Sequence, residues 1–117
     1  SWWEDLVVVF TRPSNLAKKL PDAEAGAVDP ALFEVTAEGV LFEAWRAAAA
    51  GASAAAGEGR YADALQALAS MRGAVDTYFD DVLVMAEDET VRRNRLRQLA
   101  GIAESVRKVA HLERLQG

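Results

Sequence analysis

Val82-Leu83-Val84-Met85-Ala86-Glu87-Asp88-Glu89-Thr90-Val91-Arg92-Arg93-Asn94-Arg95-Leu96 sets an apolar run, three acids and an arginine cluster side by side. The acids read as a helix start, because negative charge in a first turn opposes the positive end of the helix dipole. Beyond them, Leu96, Leu99, Ile102, Val106 and Val109 recur at steps of three or four, with Ala103 four beyond Leu99 and Ala110 four beyond Val106. That spacing puts them on one face of a helix. Lys108 and Arg114 sit toward its end, where cations are favoured.

The phase of this helix divides the arginines. Arg93 and Arg97 are four apart and neighbours on the outside. With Leu96 and Leu99 pointing inward, Arg92 and Arg95 flank the buried seam. Their guanidinium groups have two destinations. They can pair with Asp76, Asp80 or Asp81 on the preceding segment. They can equally meet RNA phosphate or base edges through paired N–H donors.

Four more helical segments are expected upstream. The first spans residues 2–20, with a kink or break near Thr11 because Pro13 lacks an amide hydrogen and crowds the preceding turn. Pro21 ends it, and residues 22–28 form a loop. The second starts at Asp29-Pro30, a good N-cap followed by the residue best suited to the first helical position. It passes Leu32, Leu41 and Trp45 into an alanine-rich stretch that Gly57 and Gly59 close. The third covers residues 61–72, with Tyr61, Ala64, Leu65, Leu68 and Met71 as its stripe. The fourth, residues 75–82, buries Val75, Tyr78, Phe79 and Val82. No segment alternates with period two for long enough to compete as a sheet. The fold class is all-α, a single-domain helical bundle of about five helices spanning residues 1–117.

The chain has 117 residues, 51% of them hydrophobic and 26% charged, enough for one domain with one core. It has no cysteine, which fits a reducing compartment and a cytoplasmic location. No apolar run approaches the ~20 residues a membrane helix needs. No basic leader precedes Trp2 and Trp3, so a signal peptide is not expected. Ser1 is not a natural start, and the chain reads as a stretch cut from something longer.

Net charge is −5, but it is unevenly placed. Residues 1–91 hold 6 Lys/Arg against 16 Asp/Glu, a net of −10, and residues 92–117 hold 7 against 2, a net of +5. A basic end on an acidic body is a surface for a polyanion, or a solvated helix face.

Catalytic constellations are weak. His111 is the single histidine and reads as a helix-end or surface residue. Asp80-Asp81 and residues 87–89 are adjacent acids that point in different directions on a helix, so neither group makes a shared site by itself. Gly57-Glu58-Gly59 is no dinucleotide fingerprint, since no strand precedes it and no third glycine follows. No catalytic residue, metal ligand or cofactor is therefore expected in this stretch. The aromatic residues lie at helical spacing with aliphatics and read as core.

Several of these residues also carry a family resemblance. Gly59-Arg60-Tyr61, then Asp63-Ala64-Leu65 and Leu68, resembles the Asp-Ala-Leu-Arg (DALR) type of anticodon-binding domain of aminoacyl-tRNA synthetases, with Gln66 in place of the eponymous arginine. The run from Val75 through Asp88, continued by Arg92-Arg93-Asn94-Arg95-Leu96, resembles the C-terminal domain of the bacterial glycyl-tRNA synthetase β subunit. That family reads Phe-Phe-Asp-x-Val-Met-Val-Met, so Tyr78 and Leu83 depart from it. Arg12-Pro13-Ser14-Asn15-Leu16 is similar to the family's Arg-Val-x-Asn-Ile element, with Pro13 in place of valine. The resemblance covers residues 5–115, and the His111-Leu-Glu-Arg-Leu ending also fits. The C-terminal anticodon-binding domain of arginyl-tRNA synthetase shares the helical plan and is the alternative within this class.

The resemblance implies an all-α anticodon-binding module of a glycine–tRNA ligase. It implies tRNA(Gly), the remainder of the β subunit and the α subunit as partners, with no membrane and no DNA. Glycine activation with ATP and Mg belongs to the α subunit on this reading, so no cofactor is expected in this chain. Arg92, Arg93 and Arg95 are the expected RNA contacts, with Arg12, Asn15, Lys18 and Lys19 as a second group. The rival from another class is a helical protein–protein module without RNA binding. In that case the arginines pair with internal acids and the apolar N-terminus docks another domain.

Overall fold

A computed structural model of the chain describes residues 1–21 and 26–116. Residues 22–25, within the expected 22–28 loop, lie outside that description. Five α-helices follow one another: α1 Trp2–Ala17, α2 Thr36–Gly57, α3 Tyr61–Ala69, α4 Arg72–Asp81 and α5 Glu89–Gln116, with a 3-10 turn at Pro30–Leu32. Among the described residues there is no strand, and no helix is long and apolar enough to cross a membrane.

The longest helix, α5, organises the rest. Its N-cap is Asp88, whose carboxylate accepts from the amides of Thr90 at 2.9 Å and Val91 at 3.1 Å. Leu99, Ile102 and Ala103 are fully buried along it, with Leu96, Val106 and Val109 nearly so. The stripe expected from the sequence is the face that meets the core. Helix α1 runs along α5 in the opposite sense. Trp2 and Leu6 lie by Val106, Ala110 and Glu113, while Ser14 and Ala17 lie by Ala100 and Arg107. Helices α3 and α2 pack on these, and α4 closes the core beside α2.

Three expectations need correction. Helix α1 passes through Pro13 without breaking at Thr11. Pro13 is fully buried, and packing offsets the backbone hydrogen bond that proline gives up. The Thr11 hydroxyl donates to the Val7 carbonyl at 2.6 Å. Asp29-Pro30 starts only the 3-10 turn, where Asp29 accepts from the Ala31 amide at 3.0 Å. Helix α2 starts afresh at Thr36 after extended backbone at Phe33 and Val35. The corner between α3 and α4 comes early, so Arg72 opens α4 rather than ending α3.

Two glycines are required by the geometry. Gly59 adopts φ +78°, a left-handed turn that lets the Arg60 amide close back on the Ala55 carbonyl at 2.9 Å. Gly101 lets α5 approach the Trp45 ring of α2, and a Cβ there would fall 2.3 Å from the ring. The Trp45 indole N–H then reaches the Ser105 hydroxyl at 3.0 Å, one turn further along α5.

Candidate nucleic-acid interface

The arginine cluster at the start of α5 does not form one surface. Arg95 points inward and is 5% exposed. Its Nη2 donates to Glu38 Oε1 at 2.9 Å, and its Nη1 donates to the Leu83 carbonyl at 2.7 Å. Glu38 is 1% exposed. The same Oε1 accepts from the backbone amides of Glu34 and Val35, both at 3.0 Å. Burial pushes the Glu38 carboxyl up, but the Arg95 guanidinium and those two amides outweigh it and hold it below the ordinary carboxylate value. Arg95 is thus a tie between α5, the start of α2 and the 82–88 loop. Its expected place on an RNA surface is corrected by this burial. Its expected acidic partners, Asp76, Asp80 and Asp81, are likewise replaced by Glu38, with Glu34 at 3.5 Å.

Its neighbours share the task. Asn94 is fully buried and clamps the backbone of Asp29 from both sides, accepting at 2.8 Å and donating at 3.0 Å. Arg92 is half-buried and donates to the Ala86 carbonyl at 2.9 Å, fixing the far end of the 82–88 loop. Arg93, expected on the outside, is also partly buried and lies 3.2 Å from Glu89. The segment that most resembles a family motif therefore joins three backbone segments to one helix.

The second expected group lies on α1 and just beyond it. Arg12 ion-pairs with Asp76 at 3.2 Å and lies 4.4 Å above the Phe79 ring, so it also ties α1 to α4. Asn15, Lys18 and Lys19 are exposed. Lys18 caps α1, at the negative end of the helix dipole. No ion pair involves Lys18 or Lys19 among the described residues. Lys18 also lines a cleft of about 200 Å³ between the end of α1 and the middle of α5, together with Ser14, Ala17, Leu20, Ala100 and Arg107. Arg107 crosses this cleft. It donates to the Ser14 hydroxyl at 3.3 Å and lies over the Phe10 ring at 5.3 Å.

Arg107 was not among the expected contacts. The signal was present: steps of three and four lead from Arg93 and Arg97 through Ala100 and Glu104 to Arg107 on one face. Lys18 and Arg107 line one cleft, which does not include the buried Arg95. Two cations, a hydroxyl and the exposed amide of Asn15 one turn away suit a phosphate-bearing ligand. Among the described residues, no group of three His, Asp or Glu side chains is placed to hold a metal.

The tie and the cleft thus belong to one all-helical domain. Its relatives are explicit. It is 43% identical over 113 residues to the glycine–tRNA ligase beta subunit of Geobacter metallireducens, covering 97% of this chain and 16% of the relative. It is 43% identical over 107 residues to that of Neisseria meningitidis serogroup B, covering 92% of this chain and 15% of the relative. The beta subunit of Dechloromonas aromatica is 41% identical over 110 residues, covering 94% of this chain. No family model matches the chain, and no solved structure does. The chain belongs to the glycine–tRNA ligase beta subunit family, and spans about one-sixth of the length of the curated relatives it matches.

Proposed function

We propose that the chain is the tRNA-binding module of a glycine–tRNA ligase beta subunit, acting on the anticodon region of tRNA(Gly). The observation that carries this reading is the 43% identity across 97% of the chain to a glycine–tRNA ligase beta subunit. On this reading the module works in the cytoplasm with the rest of its subunit and with the α subunit. ATP and Mg serve the aminoacylation chemistry elsewhere in the assembly. The same relatives favour this reading over the arginyl-tRNA synthetase domain.

The physical argument concerns how an acidic protein holds RNA. Anticodon loops expose unpaired bases, which proteins bind on their edges and faces while cations hold the phosphates. The cleft bearing Lys18 and Arg107 supplies cations and the Ser14 hydroxyl, with Arg12 and Asn15 on α1 and Lys19 just beyond it. Arg93 extends the basic face along α5. Arg92 and Arg95 contribute by holding the scaffold. An acidic body around a confined basic face limits non-specific binding and orients the RNA.

Titration of the chain with glycine tRNA, beside the same tRNA carrying an altered anticodon, tests the reading. Tighter binding of the natural anticodon supports it. Equal affinity for both across a salt series overturns the anticodon-specific role.

A further inference from the structure

The segment 80–89, Asp80-Asp81-Val82-Leu83-Val84-Met85-Ala86-Glu87-Asp88-Glu89, contains five acids and no base. Its apolar residues split by alternation. Val82 and Val84 are buried, while Leu83 is 69% and Met85 43% exposed. Two large apolar side chains thus stand in water amid negative charge.

This display is held rigidly. Val82 donates its amide to the Tyr78 carbonyl at 2.9 Å, and its backbone is extended. Arg95 holds the Leu83 carbonyl at 2.7 Å and Arg92 holds the Ala86 carbonyl at 2.9 Å. Buried Val82 and Val84 pin the same loop from beneath. Two arginines and two core valines thus fix a loop whose own exposed side chains contribute little to the core. A fixed, exposed apolar pair has the features of a binding anchor, because little ordering entropy remains to be lost on association.

The charge decides the kind of partner. Asp80, Asp81 and Glu87 are exposed and carry no ion pair among the described residues. Asp88 is taken by the α5 cap, and Glu89 meets Arg93. Three free carboxylates around Leu83 and Met85 repel phosphate, so this face is unsuited to RNA and to anionic lipid. They attract a cationic surface with an apolar anchor.

We propose that Leu83 and Met85, rimmed by Asp80, Asp81 and Glu87, form a docking surface for a cationic amphipathic protein segment. The proposal is independent of the tRNA reading, since it uses a different face and different charges. It gives the chain two surfaces of opposite sign, one for a nucleic acid and one for a protein.

Chemical-shift mapping on the isotopically labelled chain tests it with three synthetic helical peptides. One is built of Leu and Lys, one of Leu and Glu, and one of Ser and Lys. The expected result is that the Leu/Lys peptide alone shifts the amides of residues 80–89. Leu83→Ser, Met85→Ser and the Asp80→Asn/Asp81→Asn pair should each weaken it by about tenfold with an unchanged circular dichroism spectrum. Both apolar residues are surface groups, so either variant serves if the other loses helix content. Equal binding of the Ser/Lys peptide would reduce the effect to bulk charge and overturn the proposal. So would shifts centred elsewhere, unchanged affinity in the variants, shifts of residues 80–89 on adding tRNA, or the same shifts appearing with chain concentration alone.

Discussion

The Arg95 guanidinium meets the Glu38 carboxylate at 2.9 Å, with the two side chains 5% and 1% exposed. The pair lies at the junction of α2, α5 and the 82–88 loop. Removing one member of a buried pair leaves the other charge uncompensated, which typically costs about 3–5 kcal/mol. Arg95→Ala should therefore lower the urea midpoint strongly. Its partly buried neighbour pairs with the exposed Glu89, so Arg93→Ala should lower the midpoint clearly less than Arg95→Ala. A small loss for Arg95→Ala would contradict the assigned role.

The same pair sets a pH dependence. The Glu38 carboxyl is held below its ordinary value of 4.5 in the folded state. Its contribution is fully present above that unfolded value, and is lost as pH falls through the lower folded value. Urea unfolding followed from pH 7 downward should therefore show stability falling below about pH 4.5. Glu38→Gln should be less stable at pH 7 and should show a shallower acid slope. Parallel acid slopes for the two proteins would remove Glu38 from the explanation.

Much of this was legible in advance, for reasons of range. The α5 stripe is a local pattern, so Leu96, Leu99 and Ile102 announced their burial. Asp88 lies next to the helix it caps. Helical phase also placed Arg95 beside the buried seam, whereas Arg93, expected on the outside, is partly buried. Glu38 did not, because it stands 57 positions from its partner and only tertiary packing brings them together. Pro13 misled for the same reason: local propensity disfavours it, and burial overrides that preference. The cleft joins the end of α1 to the middle of α5, so that Lys18 and Arg107 are neighbours only through tertiary packing.

Tyr78 is fully buried, and its hydroxyl has no hydrogen-bond partner among the described residues. Burial and the nearby Glu38 charge push its ionisation well above the ordinary range, against the opposing effect of Arg95, so the phenol stays neutral. A buried unsatisfied hydroxyl costs roughly 1–3 kcal/mol. Tyr78→Phe should therefore raise the thermal midpoint, where most core substitutions lower it. A clear loss of stability would indicate that the hydroxyl is satisfied.

Gly101→Ala probes the closest helix contact. The added Cβ would fall 2.3 Å from the Trp45 ring, so ring or helix must shift. Overpacking of this kind costs about 1–3 kcal/mol. Trp45 fluorescence and the thermal midpoint should change together. An unchanged midpoint would mean that the two helices separate freely.

The face proposed for tRNA is the cleft between α1 and α5, while Arg92 and Arg95 hold the fold. Glycine tRNA titrated over a salt series against the wild-type chain, Lys18→Ala and Arg107→Ala measures this directly. Each substitution should weaken binding and lower the slope of log affinity against log salt by about one, with little change in helix content. Wild-type affinity and slope in both variants would place the tRNA elsewhere on the chain.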